Sequence, residues 1–241
     1  MPSLLTLPPE ALLRDQVYGI WSDFDEFVTG DKFTDTSADS GASWSQQDAA
    51  GGVIKGTSIA IDNNEAYLLS TKEMFLFAEN KPITAVCRLA FAQGNTDDIN
   101  VMFGLCDAVG ADTIVNNGAG PKTTASGVAF ECRDGETEWR VWKSISTTQT
   151  STLLSAANSL DKTAKTSASG ASTYQRLRIE CNPYSSTNQK VDYFINDVLV
   201  YSYDMIYTSA TEMNLFVGLK LGGATIESVL VDYLGAWQKR N

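Results

Sequence analysis

The sequence predicts an all-β fold in which two antiparallel sheets pack as a sandwich. From Trp21 onward, apolar residues recur with a period near two, and aromatic and β-branched residues are frequent. Clusters of Gly, Asn, Asp, Ser and Thr separate these runs, which are 5 to 11 residues long. No sustained 3.6-residue period follows residue 20, so the pattern disfavours an α/β fold. Short strands between turn residues are typical of sandwich folds.

Residues 1–20 differ from the rest and are predicted to form an N-terminal arm ahead of a sandwich domain at 21–241. Two prolines interrupt a leucine-rich run, and the second could open a short helix over 10–16. The leucines must be buried, either against their own domain or against a neighbouring molecule, and the sequence favours neither. The candidate partner-binding residues of the arm are Leu4, Leu5, Leu7, Pro8, Pro9, Leu12 and Leu13.

The strands after the arm follow from the alternation and from the turns that end each run. Asn196-Asp197 is a two-residue hairpin signal, and Asp134-Gly135 joins two apolar runs. The last run carries apolar groups on both faces, which predicts a central strand. The predicted strands are 52–61, 66–70, 83–93, 100–107, 126–132, 138–144, 174–183, 190–195, 198–203, 213–220 and 228–238.

Strict alternation would divide the last strand into two opposite faces. The two sets are Val229, Val231 and Tyr233 against Leu230, Asp232 and Leu234. One long polar stretch precedes the later strands, since 15 of the 30 residues over 144–173 are Ser or Thr. That composition buries little apolar surface, which predicts a long surface loop or a pair of weak edge strands.

Charge and residue usage exclude several classes of function. Lys and Arg total 18 against 29 Asp and Glu, a net charge of −11, which is unfavourable for binding duplex DNA or an anionic membrane. The chain has no His, which excludes His-based catalytic triads and His-ligated metal sites. The N-terminus lacks the features of a signal peptide, and no run is long enough to span a bilayer. We therefore expect synthesis and retention in the cytoplasm, unless the protein leaves as part of a larger particle.

The four cysteines are expected to be small buried hydrophobic residues. Cys87, Cys106, Cys132 and Cys181 lie in alternating apolar runs, and none belongs to a C-x-x-C pair. One or two disulfides remain the alternative interpretation.

Two kinds of acidic cluster in the sequence have spacings that could carry chemistry. The pairs Glu136/Glu138 and Asp23/Asp25 have the i, i+2 spacing that a retaining glycosidase could use, but they flank turns, so we interpret them as solvated turn carboxylates. No cofactor is expected. A surface calcium site is the alternative at two clusters of oxygen donors, although turn formation by Asn and Asp explains both clusters without a metal. The clusters are Asn95, Asp97, Asp98 and Asn100, and Asp62, Asn63, Asn64 and Glu65.

Exposed tryptophans would favour sugar binding, because an indole ring can stack on a pyranose. Core and interface packing adequately explains five tryptophans in a sandwich of this size. Trp139 and Trp142 are three residues apart, so they should face opposite sides of one strand, one in the core and one at the surface. The glycine-rich run 118–122 lacks the spacing of a phosphate-binding loop.

The order of two strands resembles that of concanavalin A-like, or laminin G-like, jelly-roll domains. Residues 174–180 (YQRLRIE) precede 191–200 (VDYFINDVLV), with Asn-Asp where Asp-Gly is commoner in that family. Residues 100–107, 215–220 and 229–233 fit the same pattern. The resemblance covers about residues 21–238 and implies a jelly-roll sandwich, but its motifs are structural and imply no activity.

A narrower resemblance is to a group of tailed-phage virion proteins. That group of proteins has no catalytic residues to carry over to this sequence. Glycosidase relatives of the fold have an E-x-D-x-E strand and lyase relatives have a catalytic His, and neither has a counterpart here. The matching segments are 21–33 (WSDFDEFVTGDKF), 79–82 (ENKP), 95–98 (NTDD), 107–112 (DAVGAD), 118–122 (GAGPK) and 208–213 (TSATEM).

This resemblance implies a non-enzymatic structural protein of the virion, foremost a capsid decoration protein that binds and stabilises the shell. Its partners would be the major capsid protein and neighbouring copies of itself, as a dimer or trimer, with no nucleic acid or membrane partner. The alternatives are a lectin-like carbohydrate-binding module that takes surface glycans, and a tail- or fibre-associated protein. A carboxylate glycosidase, using a pair such as Glu136 and Glu138, is a third hypothesis.

Overall fold

The described part of the chain consists mainly of β-strands joined by turns and loops. The computed structural model describes residues 16–37, 41–92, 99–145, 147–155, 158, 160, 173–207 and 211–240. The strands, numbered in chain order, are β1 (Val17–Ser22), β2 (Phe33–Thr36), β3 (Ser43–Gln47), β4 (Val53–Thr57), β5 (Glu65–Ser70), β6 (Phe75–Leu76), β7 (Ile83–Ala92), β8 (Ile99–Cys106), β9 (Ile114–Val115), β10 (Gly120–Pro121), β11 (Gly127–Cys132), β12 (Arg140–Ile145), β13 (Thr148–Leu153), β14 (Gln175–Pro183), β15 (Asn188–Ile195), β16 (Val198–Ile206), β17 (Glu212–Leu221) and β18 (Ser228–Lys239).

Two eight-stranded antiparallel sheets form the sandwich. The first sheet has the order β16-β15-β14-β7-β18-β4-β3, with β1 also paired to β18. The second sheet has the order β13-β12-β11-β8-β17-β5-β2, with β6 also paired to β17. The inner faces of both sheets bury one continuous apolar core, whose aromatic members include Phe91, Phe103, Phe130, Trp139 and Tyr193. The predicted all-β, two-sheet antiparallel sandwich is confirmed.

Each strand predicted from the sequence has a counterpart, and the short strands were missed. The turn at Asn196-Asp197 is a hairpin turn with positive φ at both residues (51° and 67°), as its sequence predicts. The missed strands include β2 and β3, which lie at sheet edges, where few side chains are buried and the apolar alternation is weak. Strand β13 falls within the Ser/Thr-rich stretch and is one of the edge strands expected there; residues 161–172 lie outside the described residues.

Strand β1 begins at Val17 and pairs with the C-terminal part of β18, so sheet structure starts four residues before the proposed boundary at 21. The candidate arm residues Leu4, Leu5, Leu7, Pro8, Pro9, Leu12 and Leu13 lie outside the described residues, and so do all but the last residue of the helix expected over 10–16. The division into arm and sandwich stays a prediction.

A bulge in β18 changes which face its residues occupy. Val231 pairs with Leu89 and Tyr233 pairs with Arg88, so that Asp232 is an extra residue in the ladder. The core-facing residues are therefore Val229, Val231 and then Leu234, instead of an unbroken alternation. Tyr233 and Asp232 share the outer face, contrary to strict alternation, because one inserted residue reverses the parity of all that follow it.

The outer face of the second sheet is covered by the segment between β8 and β11. Tyr67, Trp142 and Phe216 on that face are fully buried against Ile114 and Ala125 of the segment. The expectation that one of Trp139 and Trp142 would lie at the surface is wrong. The two rings do face opposite sides of β12, but this covering segment supplies a second, smaller apolar cluster for Trp142.

An ionic cluster centred on the buried Lys220 and Glu65 attaches the covering segment to the sheet. The Lys220 ammonium lies 3.0 Å from Glu65 Oε2 and 2.7 Å from Asp112 Oδ1. The Tyr67 hydroxyl donates to Glu65 Oε2 (2.8 Å) and accepts from the backbone N–H of Ile114 (3.0 Å). Charge and hydrogen bonding thus hold the segment against the outer face.

The four cysteines are free and buried, which confirms the expectation of buried thiols. Among the described residues, no helix has the length and apolar character needed to cross a membrane.

Candidate functional site

The acidic clusters considered in the sequence have other partners in the fold. Both oxygens of Glu136 accept hydrogen bonds from the Arg140 guanidinium, at 2.5–2.9 Å, so Glu136 is not a free partner for Glu138. Asp23 and Asp25 are exposed. Glu136 therefore forms a local ion pair next to its turn.

The proposed calcium clusters are likewise divided among separate interactions. Asn95, Asp97 and Asp98 lie outside the described residues, and the buried Asn100 binds backbone groups of Lys220 and Asp134. In the second cluster Asn63 has a positive φ of 62°, and the Asn64 side chain accepts a hydrogen bond from the Ile59 N–H. Glu65 pairs with Lys220, and Asp62 is exposed. No group of three or more Cys, Asp or Glu side chains among the described residues could hold a metal ion.

The tryptophans divide into buried and exposed sets. Trp44, Trp139 and Trp142 are buried, whereas Trp21 is 46% exposed and Trp237 is 39% exposed. The exposed pair lies on the outer face of the first sheet, on the adjacent strands β1 and β18. Two large aromatic surfaces therefore lie close together on a face that the described part of the chain leaves open.

Glycines lie opposite both tryptophans on the neighbouring strand, and one of them makes room for an indole ring. Trp21 pairs with Gly235, and a Cβ on Gly235 would lie 2.4 Å from Cε3 of the indole. Trp237 likewise pairs with Gly19, where a Cβ would lie 2.9 Å from the Trp237 Cβ. Trp21 also stacks on Tyr233, with ring centroids 5.0 Å apart and planes inclined by 23°. The Trp21 ring thus lies over Gly235, which has no side chain, and packs against the Tyr233 ring.

The β18 bulge places an ion pair next to these rings. Arg88 Nη1 lies 2.5 Å from Asp232 Oδ2, and the Arg88 guanidinium covers the Tyr174 ring at 4.5 Å from its centroid. Tyr233 is the cross-strand partner of Arg88. We call the set of Trp21, Trp237, Tyr233, Tyr174, Arg88 and Asp232 the aromatic strip.

The phenols of the strip stay protonated at neutral pH. Burial raises the pKa of Tyr233, and burial together with the Asp232 carboxylate raises that of Tyr174, against the opposing effect of Arg88. Each hydroxyl therefore can donate and accept a hydrogen bond. Together with the Arg88 donors and the Asp232 acceptor, these hydroxyls give the strip both hydrogen-bond donors and acceptors beside flat apolar rings.

Flat aromatic rings and hydrogen-bonding groups on an open surface suit a ligand that is apolar on one face and hydroxylated at its edges. A groove of about 600 Å³ borders the strip and is lined by Trp21, Trp237, Met74 and Arg240 with parts of β1. Sequence reasoning named both tryptophans but not the strip, because the bulge at Asp232 has no signature in the alternation. The glycines opposite the two tryptophans were a signal for this surface in the sequence. Matching each glycine to its tryptophan, however, requires the register of β1 on β18.

Comparisons with known proteins identify the fold. No protein-family profile matches the sequence, and no curated protein matches it. The carbohydrate recognition domain of Emp46p, in its metal-free form, superposes with a TM-score of 0.59 at 10% identity, over 91% of this chain and 95% of that one. The fold is that of the concanavalin A-like lectins.

Two further solved structures cover almost the whole of both chains. A protein of unknown function from Shewanella oneidensis MR-1 has a TM-score of 0.57 at 13% identity, over 99% of this chain and 96% of that one. An endo-1,3-β-glucanase from Streptomyces sioyaensis has a TM-score of 0.54 at 13% identity, over 96% and 98%. The fold therefore occurs in a binding domain and in an enzyme, and these likenesses describe the fold alone.

Proposed function

We propose that this protein binds carbohydrate through the aromatic strip. The observation that carries the proposal is Trp21, which lies across Gly235 on an open sheet face and stacks on Tyr233. A pyranose presents C–H groups on its faces and hydroxyls at its rim, so it can pack on an indole while bonding to adjacent polar groups. Arg88 and Asp232 supply a donor and an acceptor at the edge of the rings.

Binding without hydrolysis is the form of the proposal that the strip supports. Glycosidic cleavage of the common kind needs two carboxyl groups placed on either side of the scissile bond. The carboxylate at the centre of the strip, Asp232, is paired with Arg88. Its neighbour on the bulge is the phenol of Tyr233, which is a hydrogen-bonding group at neutral pH.

The test is binding of the purified protein to an array of neutral and acidic glycans, followed by titration of the glycans that bind. Replacing Trp21 by Ala should raise the Kd about tenfold, because a lost aromatic contact costs up to about 1.5 kcal/mol. Tyr184→Ala is the matched control, since Tyr184 is also an exposed aromatic residue (62%) but lies just after β14, away from the strip. Unchanged affinity in Trp21→Ala, with its fold intact, would contradict this site.

The virion role remains a prediction that rests on the sequence resemblance. The same holds for the capsid partner, the dimer or trimer, and a location on the capsid surface. A protein that binds no glycan on the array would return that role to first place. Co-sedimentation with undecorated capsids, with and without residues 2–16, would then measure whether the leucine-rich arm attaches it.

A further inference from the structure

The aromatic strip extends across four neighbouring strands of the first sheet. Trp21 lies on β1 and Tyr233 on β18, and Arg88 of β7 pairs across the ladder with both Tyr233 and Arg176 of β14. Tyr174, just before β14, stacks under Arg88. Ring surfaces therefore stand at both ends of the strip, with the Arg88–Asp232 pair between them.

The length of the strip follows from sheet geometry. Four strands span three spacings of about 4.8 Å, or roughly 14 Å across the sheet. Trp21 lies at the register of Arg178, four residues along the strand direction from Tyr174, so the two residues are roughly 19 Å apart. A pyranose unit is about as long as one strand spacing, so about four linked units would cover the distance. A single sugar could contact only one end. The four strands form a continuous ladder of the sheet, so a longer chain could extend past either ring.

The charges along the strip are already paired with one another. Arg88 pairs with Asp232, and Arg176 Nη1 lies 2.9 Å from Asp197 Oδ2. Arg88 and Arg176 face each other across the ladder, and each carries its own carboxylate, so the row offers no net positive charge. The whole chain carries −11, which repels polyanions. These charges favour an uncharged ligand that bonds through hydroxyl groups.

From this geometry we infer that the strip binds an internal segment of a linear, uncharged polysaccharide that runs across the strands from β1 to β14. The inference rests on the proposed function and adds the class of ligand and its length. Trp21 and Tyr233 hold one sugar, Arg88 and Asp232 bond to hydroxyls of the next, and Tyr174 contacts a sugar at the far end. Binding therefore strengthens with chain length until both ends of the strip are covered.

The experiment titrates β-1,3-gluco-, β-1,4-gluco- and β-1,4-glucurono-oligosaccharides of one to six units, beside the glycan array. For the neutral series, or for a linear neutral glycan found on the array, we expect the Kd to fall about tenfold from two units to four and to level off beyond. Tyr174→Ala should raise the Kd for four units about fivefold and leave that for two units unchanged. Trp21→Ala should weaken both.

The outcomes separate this inference from the function on which it rests. Binding to no glycan contradicts the proposed function itself. Trp21-dependent binding that is equal for one and four units, or tighter for the glucuronic acid series, leaves sugar binding standing and overturns the inference. A Tyr174→Ala variant that weakens short and long ligands alike also overturns it, since such a loss would reflect a general change in the sheet. Tyr184→Ala, with a matching loss of an exposed ring, should change neither Kd.

Discussion

Lys220 shows how much a single residue contributes to covering one face of the sandwich. It is a buried lysine, and its ammonium pairs with the buried Glu65 and with Asp112 of the covering segment. Taking these charges out of water is costly, and their mutual attraction offsets that cost only while both partners are present. The cluster therefore stabilises this particular placement of the segment over Tyr67, more than it stabilises the fold as a whole.

Replacing Lys220 by Met should lower the free energy of unfolding by about 3–5 kcal/mol, because it leaves the charge of the buried Glu65 carboxylate without its cationic partner. Urea unfolding measures the change. Lys190→Met is the control: Lys190 pairs with Asp192 at 3.3 Å but is half exposed, so the loss should stay below about 1 kcal/mol. Adding Glu65→Gln to Lys220→Met should recover much of the stability. A double variant as unstable as the single one would show that the buried charge is not the cause.

At the scale of an element, β18 connects the core to the candidate site. Its first half pairs with β4 and β7, and its second half pairs with β7 and β1. The bulge at Asp232 lets Val231 and Leu234 both face the core, although they are three residues apart. The same extra residue brings Asp232 and Tyr233 to the outer face beside Arg88. The extra residue thus keeps Leu234 in the core on one side of the sheet and places Asp232 and Tyr233 in the aromatic strip on the other.

Deleting Asp232 should therefore leave a folded protein. The deletion removes the extra residue, so Val231, Tyr233 and Leu234 alternate regularly and keep their faces. The loss should be about 1 kcal/mol, mainly from the half-exposed ion pair with Arg88, as measured by urea unfolding. Deleting Leu234 instead would turn Ala236 outward and Trp237 inward, and should abolish cooperative unfolding. If both deletions were equally damaging, the bulge would not set the parity of β18.

At the scale of the whole molecule, the absence of His leaves buried thiols and phenols as the groups that couple folding to pH above neutrality. Burial raises the pKa of Cys106 from 9.0 to about 12, and that of Tyr203 from 10.0 to about 12. Burial also raises the pKa values of Cys87, Tyr67 and Tyr193. The folded state therefore holds these protons to a higher pH than the unfolded state does.

Stability should be retained below about pH 9 and fall as the pH rises toward 12. Above pH 9 the unfolded thiols lose protons that the folded thiols keep, so alkali favours unfolding. Cys106 alone should account for about 2–3 kcal/mol between pH 9 and 11. Urea unfolding at each pH measures this, and Cys106→Ala should show a correspondingly shallower decline. A flat profile up to pH 11 would contradict the role of the buried thiols.

The regular strands were predictable because each has its own signal. Burial on one face imposes a period of two over β7, β8, β14 and β17, and turn residues such as Asn196-Asp197 mark where they end. The buried, reduced state of the cysteines follows from the same pattern. Edge strands such as β3 and β13 were missed or left open because solvent on their free sides permits almost any residue.

The sequence by itself determined the fold class, the positions of the long strands and the chemistry that a chain without His cannot perform. Only the tertiary structure decided which tryptophans are exposed, because the burial of Trp142 depends on a segment that folds over it from β8 to β11. Only the register of β1 on β18 placed Trp21 over Gly235, and only the bulge placed Asp232 beside Arg88. The alternation of apolar residues shows which face of its own strand each side chain occupies. It does not show which strands pair, in what register, or where a bulge shifts that register, and these decide which side chains meet in the site.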